Sequence, residues 1–573
     1  MAVLPRQTKT FVAVALGALL FSASPLVAQP VRKAVQLFKK EWKAIPAAPK
    51  GPQEWRNGLV APSVQSARYW ASDRLDALKR LEPFHGPYVA KQLKGVCSLV
   101  EAELVKIDKQ RAKLKKAIAA GYKAMRKSGR RLTTATPGYL KYATNSLEAG
   151  RLRAVRDGLE EQQAAMRTQV SALNPAGTNL LLDSSLRDKK LPFAFKLAVT
   201  RRASTLGDEM MAPLGVALDK ARQPPEVAAV VEAIGTFGAK AKPLADKIIP
   251  LLGHADGGVR ELSALALSQI AVPGAIEPMI KLLARESGLA KQRVAKALEV
   301  LTRQQFGLRV GAWQQWFAAE GAAYANGSKE LGGGKPSSER VANKKSSAYY
   351  GIKQDGKAIL YILDCSGSMA ASIENPRFED PQTKTRPLPA RGGEVSRMDA
   401  CREKLTGALG KLTSDQRFNI IWYSFESHLY KKKMQQASPK NVKAAQRFLK
   451  TLQPDGATNI YDTMQLAFQA TGRGTYDRSY SVDCDMMFLL TDGKPTLAGT
   501  SDGFDMVESI LVGVRKWNAL KRVVIHTIGI GEQLNTNFLG TLAKENGGAF
   551  RHQKGKNAAP VDGGKKDGGK ESR

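Results

Sequence analysis

The sequence predicts a multidomain chain, an all-α N-terminal half followed by an α/β, doubly wound domain with a mainly parallel sheet. Three observations carry this. The 573 residues exceed the size at which a single hydrophobic core keeps growing. Residues 347–553 alternate solidly apolar strands with amphipathic helices, the pattern of a parallel sheet covered on both faces. Residues 61–324 instead carry helical periodicity and repeated helix-turn-helix units.

The N-terminus sets the compartment. Arg6 and Lys9 precede an apolar run from Phe11 to Phe21, then the small residues Ser22, Ala23, Ser24, Val27 and Ala28. This is the layout of a secretory signal peptide over 1–28, so the protein is expected to be exported: periplasmic, in the cell envelope or secreted. Leu26 is large for its place before the cut. The uncharged stretch from Thr10 to Val31 is barely long enough to span a bilayer, so an uncleaved anchor is the alternative and the one route to a membrane. Residues 29–60, rich in Pro, Gly and Lys, read as a linker.

Residues 61–175 read as a basic helical hairpin or coiled coil. One apolar seam runs through Val89, Leu93, Val96, Val100, Leu104, Ile107, Leu114 and Ile118, with Arg111 at the one missing place. A second runs through Leu152, Val155, Leu159, Met166, Val170 and Leu173. The turn signals Ser128-Gly129 and Thr136-Pro137-Gly138 lie between them. The formal charge of the chain is +36, and residues 31–200 hold 33 Lys and Arg against 14 Asp and Glu, whereas 347–553 hold 27 against 21. The basic character therefore belongs to the helical half. It implies attraction to anionic partners, an envelope polymer among them, or simply a solvated basic surface. Scarce aromatics and the predicted export argue against nucleic acid.

Between 206 and 305 a unit recurs. Pro243-Leu244, Leu251-Leu252, Val259-Arg260 and Ala264 to Leu267 are echoed 35 residues on by Pro278-Met279, Leu282-Leu283, Val294-Ala295 and Ala297-Leu298. A poorer copy spans Pro213 to Ile234. Such units cannot bury their apolar faces alone and must stack. The pattern over 176–324 resembles HEAT-type repeats, closed by a helix over Leu301 to Tyr324 that carries Trp313 and Trp316. A flexible linker is predicted at 325–346 and a disordered tail at 554–573.

The α/β domain spans 347–553. Strands are predicted at 358–364, 417–425, 485–491, 522–530 and 549–553, and helices at 395–412, 438–451, 459–471, 503–518 and 535–545. Open α/β sheets bind ligands at the C-terminal ends of their strands. There, Ala358 to Leu363 run into Asp364-Cys365-Ser366-Gly367-Ser368, and Met486 to Leu490 run into Thr491-Asp492-Gly493. A third loop, Asp455-Gly456-Ala457-Thr458-Asn459, adds a hydroxyl. Hard oxygen donors without His or Cys suit Mg²⁺ rather than Zn²⁺. The ordered set D-x-S-x-S, then T, then D resembles the metal-ion-dependent adhesion site of von Willebrand factor type A domains. Thr527-Ile528-Gly529-Ile530-Gly531, ending a late strand, agrees with that layout.

The resemblance implies a metal set of Asp364, Ser366, Ser368, Thr458 and Asp492. The three hydroxyls would touch the ion, and Asp364 and Asp492 would hold its waters. Mg²⁺ is the expected ion, with Mn²⁺ or Ca²⁺ also admissible. An open position would take the Asp or Glu carboxylate of a protein partner, so the chain is expected to be a binding or adhesion-type protein and not an enzyme. The alternative is a metal-dependent hydrolase, or a subunit of an enzyme complex, in which the metal activates water. Its base would come from Asp399, Glu394, Glu379 or Asp380. The last two belong to an insertion between Met369 and Glu394, rich in Pro, Arg and acids, that departs from the family pattern. It is expected either to hang over the metal or to be a surface excursion. Lys431-Lys432-Lys433 reads as a solvated hairpin.

Other chemistry is excluded by pattern. The five His residues do not pair at helical spacing, and His526 reads as a core residue. There is no P-loop, no G-x-S-x-G and no zinc-protease motif. Cys97, Cys365, Cys401 and Cys484 lack metal-ligand spacing, and four cysteines in so long a chain are not a disulfide framework; at most one bridge is expected.

Overall fold

The computed structural model describes residues 25–45, 60–127, 139–325, 328–329, 331, 348–374, 388–470, 484–493, 504–532, 534–555 and 561–562. The predicted signal peptide up to residue 24, the turn at 128–138, most of the linker at 325–346, the middle of the insertion (375–387, with Glu379 and Asp380) and most of the tail lie outside them. The chain divides into two compact units, residues 1–234 and 235–573. That boundary cuts the predicted repeat region: the poorer copy ends the first unit, and the two better copies belong to the second.

The first unit is built from helices α1 (Pro25–Ala44), α2 (Val60–Lys79), α3 (Pro87–Lys127), α4 (Tyr139–Ser171), α5 (Pro175–Ser185), α6 (Phe193–Thr205) and α7 (Met211–Lys220), with α8 (Pro224–Gly235) at its end. The linker predicted at 29–60 is corrected here. Its first part is helical and buries Val35 and Phe38; Pro30 and the nearby Pro and Gly residues hid an amphipathic pattern. Helices α3 and α4 run antiparallel, since Arg156 pairs with Asp108 at 3.0 Å and Gln163 reaches Glu101 at 2.6 Å. Every apolar member of both seams is buried except Leu114, which is half-buried. Helix α2 adds a third rod that the two-helix reading lacked. It lies so close to α4 that a Cβ on Gly158 would meet that of Ala71 at 2.3 Å, so glycine is required by contact.

In the second unit the two better copies differ. Pro243 and Pro250 break the leading helix of the first into 3₁₀ turns, Gly238–Leu244 and Ile249–Gly253, around α9 (Ala245–Ile248); each proline lacks the donor a helix needs. The second copy has a continuous α11 (Ile276–Arg285), with Pro278 in its first turn, where a missing N–H costs nothing. Helices α10 (Gly257–Ile270) and α12 (Gly288–Thr302) pack on each other. Helix α13 (Val310–Ala325) closes the layer with Trp313 and Trp316 edge to face at 6.0 Å.

The α/β domain holds β1 (Ala348–Tyr349) and β2 (Ile352–Lys353), which pair only with each other, and a main sheet. The main sheet contains β3 (Ala358–Asp364), β4 (Arg417–Tyr423), β5 (Ser427–Leu429), β6 (Gln435–Gln436), β7 (Met486–Thr491), β8 (Val524–Ile530), β9 (Phe550–Gln553) and β10 (Val561–Asp562). Its order is β10-β9-β8-β7-β3-β4-β5, with β6 also on β4. The five predicted strands are parallel neighbours; β5, β6 and β10 are antiparallel additions.

Both faces of this sheet are buried, which is why β3 is apolar throughout. Ile359, Tyr361 and Leu363 enter one core with α14 (Arg397–Gly410) and α15 (Pro439–Leu449). Leu360 and Ile362 enter the other with α16 (Ile460–Ala470), α17 (Phe504–Trp517) and α18 (Thr536–Glu545). The structure thus has a helical N-terminal region followed by an α/β domain with a mainly parallel sheet.

Helix α12 braces the edge of the sheet where the parallel strands begin. Leu289 packs on the domain core, and Arg293 donates to the Lys521 carbonyl at 2.9 Å while pairing with Glu261. Gly288, at φ +60°, comes so near the start of β3 that a Cβ would lie 2.7 Å from the Lys357 nitrogen. Among the described residues no helix is long and apolar enough to cross a membrane. All four cysteines are buried and none is joined in a disulfide.

Candidate metal centre

Of two adjacent parallel strands, β3 ends on an aspartate and β7 is followed by one, at the opposite edge from α12. Asp364 is the last residue of β3, fully buried. Its Oδ1 accepts the backbone N–H of Ser366 at 2.8 Å, turning the chain, and its Oδ2 accepts the Thr491 hydroxyl at 2.7 Å and that of Tyr423 at 3.2 Å. The turn carries Ser366 and Ser368 on the same side, with hydroxyls 3.0 Å apart. Ser368 Oγ donates to Asp492 Oδ1 at 2.7 Å. Asp492 follows β7 and is buried.

The third loop is stitched in by the backbone, Gly367 N–H donating to the Gly456 carbonyl at 2.9 Å. This brings Thr458 to the site: a Cβ on Gly493 would sit 3.5 Å from Thr458 Oγ1 and 4.0 Å from Ser368 Oγ. Gly493 keeps the space between those two hydroxyls open. All five residues predicted from sequence therefore meet at one edge of the sheet.

One further residue belongs with them. Arg397, at the start of α14, is almost fully buried and donates from Nη1 to Asp492 Oδ2 at 2.7 Å. Sequence reading passed over it because an arginine at a helix start normally reaches solvent. The one signal was its company, with apolar Met398 and Cys401 on the inward face of the helix.

The charge balance fits a cation. Two buried carboxylates are accompanied by one guanidinium, which is bonded to Asp492. Burial pushes Asp364 up to about 7, with the charge of Asp492 adding to it. Burial also raises Asp492, against the pull of Arg397. The partners of Asp364 are a backbone amide and two hydroxyls, none of them positive, and a divalent ion would supply the missing charge. Among the described residues no cluster of three His, Cys, Asp or Glu side chains could hold a metal. The donors here are mainly hydroxyls, which suit a hard ion such as Mg²⁺.

Of the candidate bases, Asp399 is exposed and engaged by Ser396 and Arg402. Glu394 accepts the Arg391 N–H at 2.8 Å. The insertion is pinched at its root by bridges between Ala371 and Pro389 and between Ser372 and Ser396. His526 stacks on Phe488 with ring centroids 5.0 Å apart, and its Nδ1 accepts the Ala549 N–H at 2.9 Å. The three lysines at 431–433 are exposed, and their turn is held by Asn419 Nδ2, which donates to the carbonyls of Lys431 and Lys433.

Residues 393–552 match the family model of the von Willebrand factor type A domain. That match begins after the D-x-S-x-S turn. Inter-alpha-trypsin inhibitor heavy chain H3 of Mus musculus is 27% identical over 197 residues, 34% of this chain and 19% of that protein. Inter-alpha-trypsin inhibitor heavy chain H4 of Homo sapiens is 28% identical over 202 residues, 35% of this chain and 18% of that protein. The matched region is thus about a fifth of those relatives' length. A solved von Willebrand factor type A structure from Catenulispora acidiphila aligns at 20% identity over 34% of this chain and 38% of that one, with a TM-score of 0.24. The C-terminal region of this protein is a von Willebrand factor type A domain.

Proposed function

We propose that the type A domain is a metal-dependent binding module. Asp364, Ser366, Ser368, Thr458 and Asp492 hold a divalent ion, Mg²⁺ in the first instance, and an acidic side chain of a protein partner completes its shell. The observation that carries this is the convergence of three hydroxyls and two buried carboxylates, only one of which, Asp492, is paired with a guanidinium. Ser366, Ser368 and Thr458 offer direct donors; Asp364 and Asp492, already engaged by hydrogen bonds, orient the ion's waters. Mostly neutral ligands leave the bound ion electron-poor, and that favours a carboxylate from outside. The relatives named as heavy chains of a trypsin inhibitor also have a binding role in their name. Asp399 and Glu394 are tied into local hydrogen bonds, which disfavours either as the base for hydrolysis. The helical layers, HEAT-like in their stacking, serve as scaffold, and export follows from the N-terminal apolar run.

Calorimetric titration of the full chain with Mg²⁺ tests the reading. Heat is expected from the wild type, none after EDTA, and none in Asp364→Ala. Equal heats in wild type and Asp364→Ala would sink it.

A second surface is favoured by one observation. Lys106, Lys109, Lys113 and Lys116 of α3 are all exposed, and their spacing of three and four puts them on one helical stripe. This stripe is suited to an anionic polymer. Binding of heparin, as a model polyanion, should weaken steeply between 50 and 200 mM salt, roughly as the number of contacts dictates; binding indifferent to salt would exclude the stripe.

A further inference from the structure

We propose that Arg397 sets the charge of the metal site: it weakens the hold on the ion and, in return, makes the loaded site select a carboxylate ligand. The proposal rests on the metal-binding reading above. Arg397 is only 1% exposed, so it cannot touch a partner and must act through Asp492.

Three features of its placement are unfavourable for a residue that serves packing alone. Burying a guanidinium is costly, and apolar side chains of similar volume often replace a whole buried ion pair without loss. Its Nε and Nη2 are buried with no hydrogen-bond partner, leaving one nitrogen of three engaged. It also occupies the first position of α14, after the cap Ser396, where the helix dipole disfavours a cation. The fold nevertheless makes room for it. Gly531, at φ +80°, lies against the guanidinium, and a Cβ there would come within 3.0 Å of its Cζ.

The consequence is electrostatic. With both carboxylates ionised around a bound ion, Asp364, Asp492 and Arg397 together carry one negative charge, so a divalent ion leaves the loaded site with one positive charge. Without Arg397 the loaded site would be neutral. The metal would then be held more tightly, by two uncompensated carboxylates, and the attraction for an external carboxylate would fall. A merely structural arginine predicts the reverse for the metal, because its loss would let Asp492 swing away and weaken both.

The test uses the full chain and two variants, Arg397→Met and Arg397→Lys. Mg²⁺ affinity is read by calorimetry. Ligand uptake is read with Mn²⁺ as probe ion and acetate as probe carboxylate, through the fall in water-proton relaxation as acetate displaces a metal-bound water. Arg397→Met should bind Mg²⁺ about tenfold more tightly and lose most of its acetate response. Arg397→Lys should keep the acetate response and stay within about threefold of wild type for Mg²⁺, since the charge persists.

Loss of Mg²⁺ affinity in a folded Arg397→Met would overturn the proposal, as would an acetate response equal to wild type. If Arg397→Met does not fold, a folded Arg397→Lys without acetate response overturns it as well. A wild type that takes up no metal would instead sink the metal-binding reading itself.

Discussion

Strand β7 is flanked by an aspartate at each end, and the two behave differently. Asp485, just before the strand, accepts backbone amides, among them those of Lys357 at 2.8 Å and Ala358 at 2.9 Å. It nails the start of β3 to the start of β7, beside the brace of α12. Asp492, just after the strand, accepts from the side chains of Ser368 and Arg397. Backbone partners are fixed by the fold, whereas side-chain partners can turn toward an ion. One edge of the sheet is therefore pinned by backbone, and the other is held by side chains, as the proposed metal site requires. Residue type and burial alone would not separate them; the chemistry of their partners does.

The largest effect expected from breaking this contrast is at Asp492. Asp492→Ala leaves Arg397 buried and unpaired, which should cost about 3–5 kcal/mol of domain stability along with the Mg²⁺ response. Urea unfolding of the full chain measures it, and a loss under about 1 kcal/mol would contradict the burial of the pair. Asp485→Ala should cost somewhat less, about 2–3 kcal/mol for two charge-assisted backbone bonds, yet leave the Mg²⁺ heat intact. A lost metal response there would erase the distinction between the two edges.

The middle of the sheet supplies a control for acid sensitivity. Burial pushes His526 down to about 4, with Arg551 adding to the effect, so the folded state disfavours the imidazolium. The unfolded chain binds the proton first; stability is complete above about pH 6.5 and falls as pH drops toward 4. Between pH 7 and 5 roughly 2 kcal/mol should be lost on this account. His526→Asn, whose Oδ1 can still accept the Ala549 N–H, should flatten that slope in unfolding curves taken in EDTA. A slope identical to wild type would assign the acid loss elsewhere. The smallest effect belongs to Asp399. It is two residues from Arg397 but exposed, so Asp399→Asn should change stability by less than about 1 kcal/mol and metal binding not at all; a calorimetric change would mean that it reaches the ion.

Much of the α/β domain was legible because both faces of its sheet are covered. β3 coincides with its predicted range, and the helices fall within two residues of theirs, since continuous apolar strands and amphipathic helices leave periodic signals. The short antiparallel strands β5, β6 and β10 left none; two or three residues are too few for a period. The helix α1 was hidden by composition, with prolines and lysines outweighing the buried Val35 and Phe38. The 3₁₀ breaks in the first copy follow from Pro243 and Pro250; the sequence pattern placed Pro243 at the start of a unit and gave Pro250 no role.

The sequence by itself determined that Asp364, Ser366 and Ser368 stand on one turn, and that Thr458 and Asp492 stand on other loops at the same sheet edge. Strand ends and hydroxyl spacing are local properties. Only the tertiary structure decided that Asp492 is clamped by Arg397, 95 residues earlier, and that Asp485 is occupied by backbone. Both depend on which groups meet across the sheet and on how much water is excluded there. Those conditions fix the charge left for an ion, and no run of neighbouring residues encodes them.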